Sequence, residues 1–589
     1  MSFFLKTYKL IPNNLRAFFF LLIFLMVISV FLETLGIALL LPTIAVILDP
    51  ESISKYPTIN ELFQPLKSFF SDSTIFLLFL LISFYLFKGI FISIVSFLQA
   101  KFVYQMKGLI SQNLFKKYTN YSFETYLNID SSNLIRNISI EVTRFIDGIL
   151  KQILFLIVES FIVIGMLIFL VILNPLIILV TSLVFFMVGY LYYFFTRKRL
   201  LIWGEKRQNL EFRKVETLQQ SIFGIKELKV FQKEGQFNDI FKEDNYGAAS
   251  AEKKQFFVAL MPRILLEFTA ISAVIFTILI LFYQDISSSE IIPLIGIYVA
   301  ATFKMLPSIQ KITHAVQQLR FEKPVLELIH DEIKSPSIIF NEKKIKYYEN
   351  KKDLNLSKSN NLVLSKINFS YFKSNEQALT DINLHIKAGE TIGIIGESGS
   401  GKTTLINILL GLLLPKDGSI YFNNNDCFKN LSEWRNQISF VPQNIFISNR
   451  SLKENIAFGI ENSHIDKEKV IESIRMAQLT ELIANKEDSI EMFLGERGSK
   501  LSGGQIQRVG IARALYKDPK VLIFDEATSS LDSVTENEVM DSIYDLPGQR
   551  IKIIIAHRTS TLNRTDRIFE IIKGRVSREI SYSEIIKNK

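Results

Sequence analysis

The stretch "TIGIIGESGSGKTTLINILLGLL", residues 391–413, decides the fold of the C-terminal part of the chain. A short apolar run leads into a glycine-rich loop, and a longer apolar run with helical character follows. The loop fits G-x-x-x-x-G-K-[ST], and a preceding strand and a following helix are the context that this motif requires. Its backbone N–H groups can surround phosphates, Lys402 can reach the terminal phosphates, and the Thr403 hydroxyl can hold Mg²⁺. The predicted phosphate-binding residues are Gly396, Glu397, Ser398, Gly399, Ser400, Gly401, Lys402, Thr403 and Thr404.

A second apolar run, "VLIFDE" at residues 521–526, ends in two carboxylates. Many strands end in acidic residues, but at this distance after a phosphate-binding loop the pair indicates nucleotide hydrolysis. We expect Asp525 to hold the Mg²⁺ shell and Glu526 to polarise the attacking water. The alternation of short β-type runs with helical runs after residue 360 predicts an α/β nucleotide-binding domain.

Between these motifs lies "LSGGQ", residues 501–505, and with it the sequence resembles the ATP-binding cassette (ABC) transporters. The resemblance implies that the signature segment of one subunit meets the γ-phosphate of ATP held by a second subunit. It also implies an adenine-stacking aromatic in "FSYF", a glutamine in "VPQN" that contacts Mg²⁺ and takes part in catalysis, an aspartate in "SSLD" and a catalytic switch histidine in "IAHR". The residues concerned are Ser502, Gly503, Gly504, Gln505, Tyr371, Gln443, Asp532 and His557.

Long apolar runs fill the first 315 residues, and a membrane-spanning helix needs about 20 such residues. Six stretches qualify, so the predicted fold class is an α-helical six-span transmembrane domain followed by an α/β P-loop nucleotide-binding domain of the ABC type. The charged helical segments between the runs predict helices that continue well past the bilayer. The predicted spans are 17–41, 74–99, 148–173, 176–196, 258–283 and 291–313.

The distribution of charge predicts how the spans are oriented. The net charge is +9, and much of the basic excess lies beside apolar runs, which indicates an orientation signal rather than a nucleic-acid partner. The segments 101–147 and 197–257 are rich in Lys and Arg, whereas the turns 174–175 and 283–290 contain neither. The positive-inside rule therefore places both termini and both long segments of this multi-pass protein in the cytosol.

The predicted domain organisation is a membrane domain at 1–320, a charged linker at 321–360 and a nucleotide-binding domain at 361–589. The N-terminal apolar run is too long for a signal-peptide core, so we expect an uncleaved first span. The single cysteine, Cys427, excludes an intrachain disulfide framework. The resemblance covers almost the whole chain and implies half a transporter, and therefore a homodimer that uses ATP and Mg²⁺ in two shared sites.

Three cations within the predicted spans suggest what is carried. At a rise of about 1.5 Å per residue, Lys88, Arg263 and Lys304 fall at about one depth in the inner half of the bilayer. In a homodimer they would form a belt of six positive groups suited to a phosphate or pyrophosphate headgroup. Alternatively, Arg263 pairs with Glu267 four residues on, Glu159 pairs with Lys88, or these cations reach out to the bilayer surface.

Four stretches, in and around these cations, resemble bacterial flippases of lipid-linked oligosaccharides: "FLETLGIALLLPTIAVI", the Lys88 run, "MPRILLEF" and "FKMLPS". This resemblance implies that the membrane is the bacterial inner membrane. It also implies an anionic glycolipid substrate, a polyprenyl-pyrophosphate glycan, whose tail stays among the membrane lipids while ATP drives its transfer to the outer leaflet. Two alternatives stay open within the same family. One is a general exporter of lipids, lipid A or drugs, and the other is a peptide exporter.

Overall fold

The computed structural model of the chain forms two compact units. The first unit contains residues 1–120 and 129–337, and the second contains residues 121–128 and 338–589. The structure describes residues 2–48, 61, 73–173, 175–283, 288–334, 361–372, 374, 376–483, 487–528, 533–546, 548–556 and 558–587.

The first unit is helical, and three of its helices contain 47, 49 and 50 residues. At about 1.5 Å per residue each is at least twice as long as a bilayer core of about 30 Å. The inner helices therefore continue past the membrane, as the charged segments predict. The helices are α1 (Ser2–Leu10), α2 (Asn13–Ala38), α3 (Leu40–Leu48), α4 (Ser73–Thr119), α5 (Phe123–Tyr126, which belongs to the second unit), α6 (Ser131–Arg136), α7 (Val142–Phe145), α8 (Lys151–Leu173), α9 (Pro175–Phe223), α10 (Ile225–Val230), α11 (Glu234–Tyr283), α12 (Ser288–Phe321) and α13 (Lys323–Lys334).

Within the described residues, four helical stretches are long and apolar enough to cross a membrane. The predicted spans 176–196 and 291–313 lie on α9 and α12, where many side chains lie outside the described part. The membrane domain is therefore helical and apolar as expected, while the count of six spans stays a prediction. The four stretches are Asn13–Gly36, Thr74–Thr119, Ser131–Ile168 and Glu234–Phe276.

Helix α13 occupies the first part of the segment interpreted as a linker. Its buried residues include Val325, Leu326 and Ile329, which recur at helical spacing and form one apolar face. This face packs within the first unit, which continues to residue 337. The segment was interpreted as a linker because of its high overall charge, although this part of it has an apolar face. Residues 335–360 lie outside the described part.

The second unit contains two sheets. A four-stranded antiparallel sheet has the order β2-β1-β4-β5, and a six-stranded sheet has the order β10-β9-β3-β8-β7-β6. The strands are β1 (Leu362–Phe369), β2 (Leu379–Ile386), β3 (Thr391–Ile395), β4 (Asp417–Phe422), β5 (Asn425–Asp426), β6 (Ile438–Val441), β7 (Val521–Asp525), β8 (Ile551–Ile555), β9 (Arg567–Ile572) and β10 (Arg575–Ile580). The helices are α14 (Lys402–Leu409), α15 (Leu431–Gln437), α16 (Leu452–Ile456), α17 (Lys467–Met476), α18 (Gly503–Tyr516), α19 (Ser533–Tyr544) and α20 (Tyr582–Lys587).

The topology of the larger sheet brings the motifs together. Strands β6, β7, β8 and β3 pair in parallel, so their carboxyl ends meet at one edge of the sheet. Strands β7 and β8 are almost wholly buried and are apolar except for Asp525 and Lys552, which is typical of a parallel sheet covered on both faces. The loop after β3 carries the phosphate-binding motif and β7 ends at Asp525, so the two motifs are neighbours in space.

Candidate functional site

The glycine-rich loop joins β3 to α14 and wraps around the side chain of its own lysine. Lys402 Nζ donates hydrogen bonds to the carbonyl oxygens of Gly396, at 2.7 Å, and Glu397, at 2.8 Å. Burial lowers the pKa of the Lys402 ammonium, and the nearby carboxylates of Glu526 and Asp525 oppose this shift. The ammonium is therefore held inside the loop and can leave the two carbonyls for a stronger anionic partner.

The geometry of the loop fits phosphate groups. Gly396 and Gly401 have φ angles of 156° and 107°, and a Cβ at Gly396 would lie 2.3 Å from the Ile571 carbonyl oxygen. Only glycine fits these two positions, which keeps backbone N–H groups accessible to a ligand. Ser400 Oγ is buried and has no hydrogen-bond partner in the described part. The first turn of α14 adds unsatisfied N–H groups, which bind anions.

Glu526 follows directly on β7 and is held at two points. Its N–H donates to the Ile555 carbonyl oxygen at 3.0 Å, and its Oε2 accepts a hydrogen bond from Gln443 Nε2 at 2.6 Å. The φ of Glu526 is 49°, an uncommon conformation for a residue with a side chain, of the kind that clusters at active sites. The structure thus brings Gln443, Asp525 and Glu526 together at the edge of the sheet that carries the phosphate-binding loop.

The arrangement can also hold a divalent cation. Carboxylate, amide and hydroxyl oxygens are ligands that Mg²⁺ accepts. Asp525, Gln443 and Thr403 supply these three oxygen types at adjoining positions, the ends of β7 and β6 and the first turn of α14. These residues would hold Mg²⁺ beside the phosphates.

The aromatic residue of the "FSYF" motif lies beside the same helix. The Tyr371 hydroxyl is 3.0 Å from Thr404 Oγ1, and its ring packs edge-on against Phe369 with centroids 5.0 Å apart. Tyr371 is partly buried, so a ring face can serve as a stacking surface at the entrance to the loop. Its role towards adenine stays a proposal.

The signature segment forms the start of α18. Ser502 caps the helix by a reciprocal pair of hydrogen bonds with Gln505, and Gly503 and Gly504 form its first turn. Ser502 and Gly503 are exposed, so the helix N-terminus is open to an anion from outside the chain. The two other residues implied by the resemblance, Asp532 and His557, lie outside the described residues.

In the membrane domain, Lys88 has a carboxylate partner. Its Nζ lies 3.7 Å from Glu33 Oε2 on α2 and 4.2 Å from the centre of the Tyr85 ring. Both charged side chains are largely buried, with 12% and 13% of their surface exposed. Glu159, the alternative partner considered for Lys88, instead forms an ion pair with Lys311 at 2.6 Å.

The second candidate cation, Arg263 on α11, forms the ion pair expected from its spacing. Its Nε donates to Glu267 Oε1 at 2.9 Å, and 70% of its side chain is exposed in the single chain. Lys304 is part of α12, but its side chain lies outside the described part. Each described member of the predicted belt therefore has a carboxylate neighbour, Glu33 for Lys88 and Glu267 for Arg263, and a ligand at either cation would compete with that carboxylate.

Sequence reasoning missed two carboxylates, Glu33 and Glu536. Glu33 lies in "FLETLG", a stretch singled out for its resemblance but not for its charge. Its place four residues after the middle of the predicted span 17–41 was the available signal, because a carboxylate in a membrane helix needs a cation. Glu536, which contacts both Thr528 and Arg558, gave no signal, because its partners become neighbours only through the sheet.

Taken together, these features define a class: a phosphate-binding P-loop cassette fused to a helical membrane domain. A family model described as ABC transporter matches residues 379–529, and one described as ABC transporter transmembrane region matches residues 16–306. The chain belongs to the ABC transporter family, with the membrane and ATP-binding regions in one chain. Members of this family couple the hydrolysis of ATP to transport across a membrane.

Curated relatives match part of the chain. An ATP-dependent lipid A-core flippase of Ralstonia nicotianae is 40% identical over 223 residues, which is 37% of this chain and 38% of the relative. The leukotoxin export ATP-binding protein LtxB of Aggregatibacter actinomycetemcomitans is 39% identical over 224 residues, 38% of this chain and 31% of the relative. The matched segment thus spans well under half of these relatives' length.

A solved structure supports the fold over nearly the whole chain. The structure of a bacterial Atm1-family ABC exporter with ATP bound is similar with a TM-score of 0.76, and the match covers 98% of both chains. At 19% identity this similarity shows the fold alone. The chain therefore has the fold of an ABC exporter.

Proposed function

We propose that the chain works as a homodimer that hydrolyses ATP to move an anionic glycolipid from the cytosolic to the outer leaflet of a bacterial inner membrane. The observation that carries this proposal is the fusion, in one chain, of a complete phosphate-binding cassette with a membrane domain that holds Lys88 inside an apolar helix. A lysine at the centre of a membrane helix costs about 2.5–3.5 kcal/mol on insertion scales, and charged groups inside a membrane mark functional sites even where, as with Glu33 here, a carboxylate partner lowers that cost.

Bound ATP supplies a γ-phosphoryl group whose transfer to water drives the cycle. Lys402 neutralises the terminal phosphates, while Thr403, Asp525 and Gln443 hold Mg²⁺. Glu526 accepts a hydrogen bond from the attacking water, and its fixed backbone aims the carboxylate at one place. Tyr371 stacks on the adenine, and His557 contacts the γ-phosphate. The second subunit of the homodimer contributes Ser502 and Asp532 to the same site.

The membrane cations suit a substrate that carries phosphate. A pyrophosphate offers several strong acceptor oxygens, and it can displace Glu33 from Lys88 or Glu267 from Arg263, because each carboxylate is a monoanion. Lys304 completes the proposed headgroup site. A headgroup held in the inner half of the bilayer leaves an apolar tail among the membrane lipids.

The favoured substrate is a polyprenyl-pyrophosphate oligosaccharide, because of the resemblance of the membrane segments to flippases of such lipids. The name of the Ralstonia relative favours a second candidate of the same chemical kind, lipid A with its core sugars. The name of the LtxB relative favours a polypeptide, a toxin, instead. The first two substrates share a phosphate-bearing glycolipid headgroup, and the polypeptide does not.

Substrate-stimulated ATP hydrolysis in lipid nanodiscs separates these candidates. We expect a polyprenyl-pyrophosphate oligosaccharide to raise the ATPase rate, and the same lipid without pyrophosphate to leave it unchanged. The triple variant Lys88→Ala, Arg263→Ala, Lys304→Ala should keep its basal rate and lose the stimulation. A matched control is Lys229→Ala, since Lys229 is an exposed lysine outside the predicted spans.

Three results would contradict the substrate assignment. Stimulation by lipid A-core at lower concentration than by the polyprenyl lipid would favour the second candidate. Stimulation by a hydrophobic drug or a polypeptide, unchanged in the triple variant, would favour a drug or peptide exporter. Stimulation by the polyprenyl lipid that survives in the triple variant would show that the three cations do not bind the headgroup.

A further inference from the structure

Glu536, on α19, is a buried carboxylate that joins two catalytic segments of the cassette. It is 4% exposed, and its two oxygens accept hydrogen bonds from different elements. Oε1 accepts from Thr528 Oγ1 at 3.0 Å, and Oε2 accepts from an Arg558 guanidinium N–H at 3.0 Å. Thr528 comes two residues after Glu526, and Arg558 is the residue that follows His557 in the sequence.

The same two segments are joined once more, closer to the sheet. The N–H of Glu526 donates to the carbonyl oxygen of Ile555 at 3.0 Å. This bond joins the two segments where they begin, at the ends of β7 and β8. The contacts of Glu536 join them again further along, at Thr528 and Arg558. The strained φ of Glu526, 49°, lies between these two ties. A strained conformation persists only where its surroundings hold it.

Packing alone does not fix the spacing of the two segments. A cavity of about 90 Å³ lies between them, and Glu526, Thr528, Ala556, Arg558 and Thr561 are among the residues that line it. Side chains around a cavity lack neighbours on one side, so they can shift more easily than in a close-packed core. The spacing between the two segments therefore depends on the directed hydrogen bonds of Glu536 and Glu526.

We propose that Glu536 is a positioning residue for hydrolysis, which holds the segment carrying Glu526 and the segment carrying His557 at a fixed spacing. The proposal rests on the roles proposed above for Glu526 and His557 and deepens them. Glu536 is almost wholly buried, and it acts through Thr528 and Arg558. Its removal should therefore affect the chemical step and leave ATP binding intact.

The test measures steady-state ATP hydrolysis by the full-length protein in nanodiscs. For Glu536→Ala we expect kcat to fall about tenfold to a hundredfold, because a displacement of about 1 Å among reacting groups has an effect of that order. KM for ATP should stay within about twofold, because the phosphate-binding loop is untouched. The matched control is Glu538→Ala, an exposed carboxylate on the same helix, which should leave kcat unchanged.

Two further variants keep the test decisive if Glu536→Ala fails to fold. Arg558 is half exposed, so Arg558→Ala removes the second tie without opening the core. Glu536→Gln keeps one carbonyl acceptor and should lose less activity than Glu536→Ala. The double variant Glu536→Ala, Arg558→Ala should be no slower than Glu536→Ala alone, because Glu536→Ala already removes the hydrogen bond to Arg558 along with the one from Thr528.

The proposal is overturned if Glu536→Ala and Arg558→Ala both keep kcat within about twofold of wild type, if KM rises as much as kcat falls, or if the two changes multiply in the double variant. Glu526→Gln is measured in the same series. Wild-type hydrolysis by Glu526→Gln would reject the role proposed for Glu526, and it is independent of the kcat measured for Glu536 variants.

Discussion

Glu526 is the residue on which the proposed chemistry depends most. Its carboxylate accepts a hydrogen bond from Gln443, its N–H is bound to Ile555, and its backbone lies in the left-handed region. The sequence alone predicts a catalytic role for this carboxylate, because an apolar run that ends in two acidic residues follows the phosphate-binding loop. It does not predict the strained backbone, which follows from the pairing of β7 with β8.

We predict that Glu526→Gln binds ATP normally and hydrolyses it about 10²- to 10⁴-fold more slowly, the range typical of a lost general base. The amide has the shape of the carboxylate, but it cannot take a proton from water. Phosphate release at saturating ATP measures the rate, and equilibrium binding of a fluorescent ATP analogue measures affinity. Loss of ATP binding together with hydrolysis would contradict the prediction, because it would show a structural role.

Lys88 shows the limit of inference from single residues. Its position in an apolar run predicts a functional cation, and the structure adds a partner, Glu33, on another helix. The pairing of Arg263 with Glu267 could be foreseen because it is local, at a spacing of four residues on one helix. The position of Glu33 in an apolar span signals that this carboxylate needs a cation, but its pairing with Lys88 depends on which face of α2 meets α4.

At the scale of elements, a close helix crossing organises the first unit outside the predicted spans. A Cβ on Gly204 of α9 would lie 1.9 Å from the carbonyl oxygen of Phe321, at the end of α12. This approach brings Arg207 within 3.0 Å of Glu322, and both side chains are almost wholly buried. Burial raises the pKa of Glu322, although Arg207 and Arg144 oppose this shift. The crossing therefore depends on a glycine and on a buried ion pair.

We predict that Gly204→Ala destabilises the protein, because the new methyl group meets backbone that has no room to move. An overpacked core costs about 1–3 kcal/mol, and about 2–4 °C of Tm is expected per kcal/mol in a domain of this size. Thermal unfolding in detergent, followed by the loss of monodisperse protein, measures the change.

The matched control is Gly189→Ala, on the same helix, where nothing lies within 4 Å of the added Cβ. This variant should be as stable as wild type or slightly more so, because alanine in the middle of a helix is about 0.5–1 kcal/mol more favourable than glycine. Equal stability of the two variants would contradict the close crossing.

The elements themselves were predictable to different degrees. The strands and helices around the phosphate-binding loop follow from apolar runs and motif context, and they lie where the sequence placed them. Helix α13 was missed because its buried apolar positions lie among charged residues, and the assignment of residues 121–128 to the second unit has no local signal. In that short segment, Glu124 accepts a hydrogen bond from the backbone N–H of Phe372, 248 residues away.

At the scale of the whole molecule, the family and the fold rest on independent findings. Family models match both regions, and the fold resembles that of an ABC exporter over nearly the whole chain. The order of motifs along the sequence was sufficient to predict this class, because each motif is short, local and tied to one chemistry. The substrate belongs to the membrane domain, where any apolar sequence of suitable length can form a span, and it therefore needs direct measurement.

The central claim is that ATP hydrolysis by this chain moves an anionic glycolipid between leaflets. The most direct test follows a labelled polyprenyl-pyrophosphate oligosaccharide in proteoliposomes that contain the full-length protein, with and without ATP and Mg²⁺. We predict ATP-dependent transfer by the wild type and none above background by Glu526→Gln, although the variant binds ATP. Transfer at the same rate without ATP, or by Glu526→Gln, would contradict the claim, and so would an ATPase-active wild type that leaves the lipid in its original leaflet.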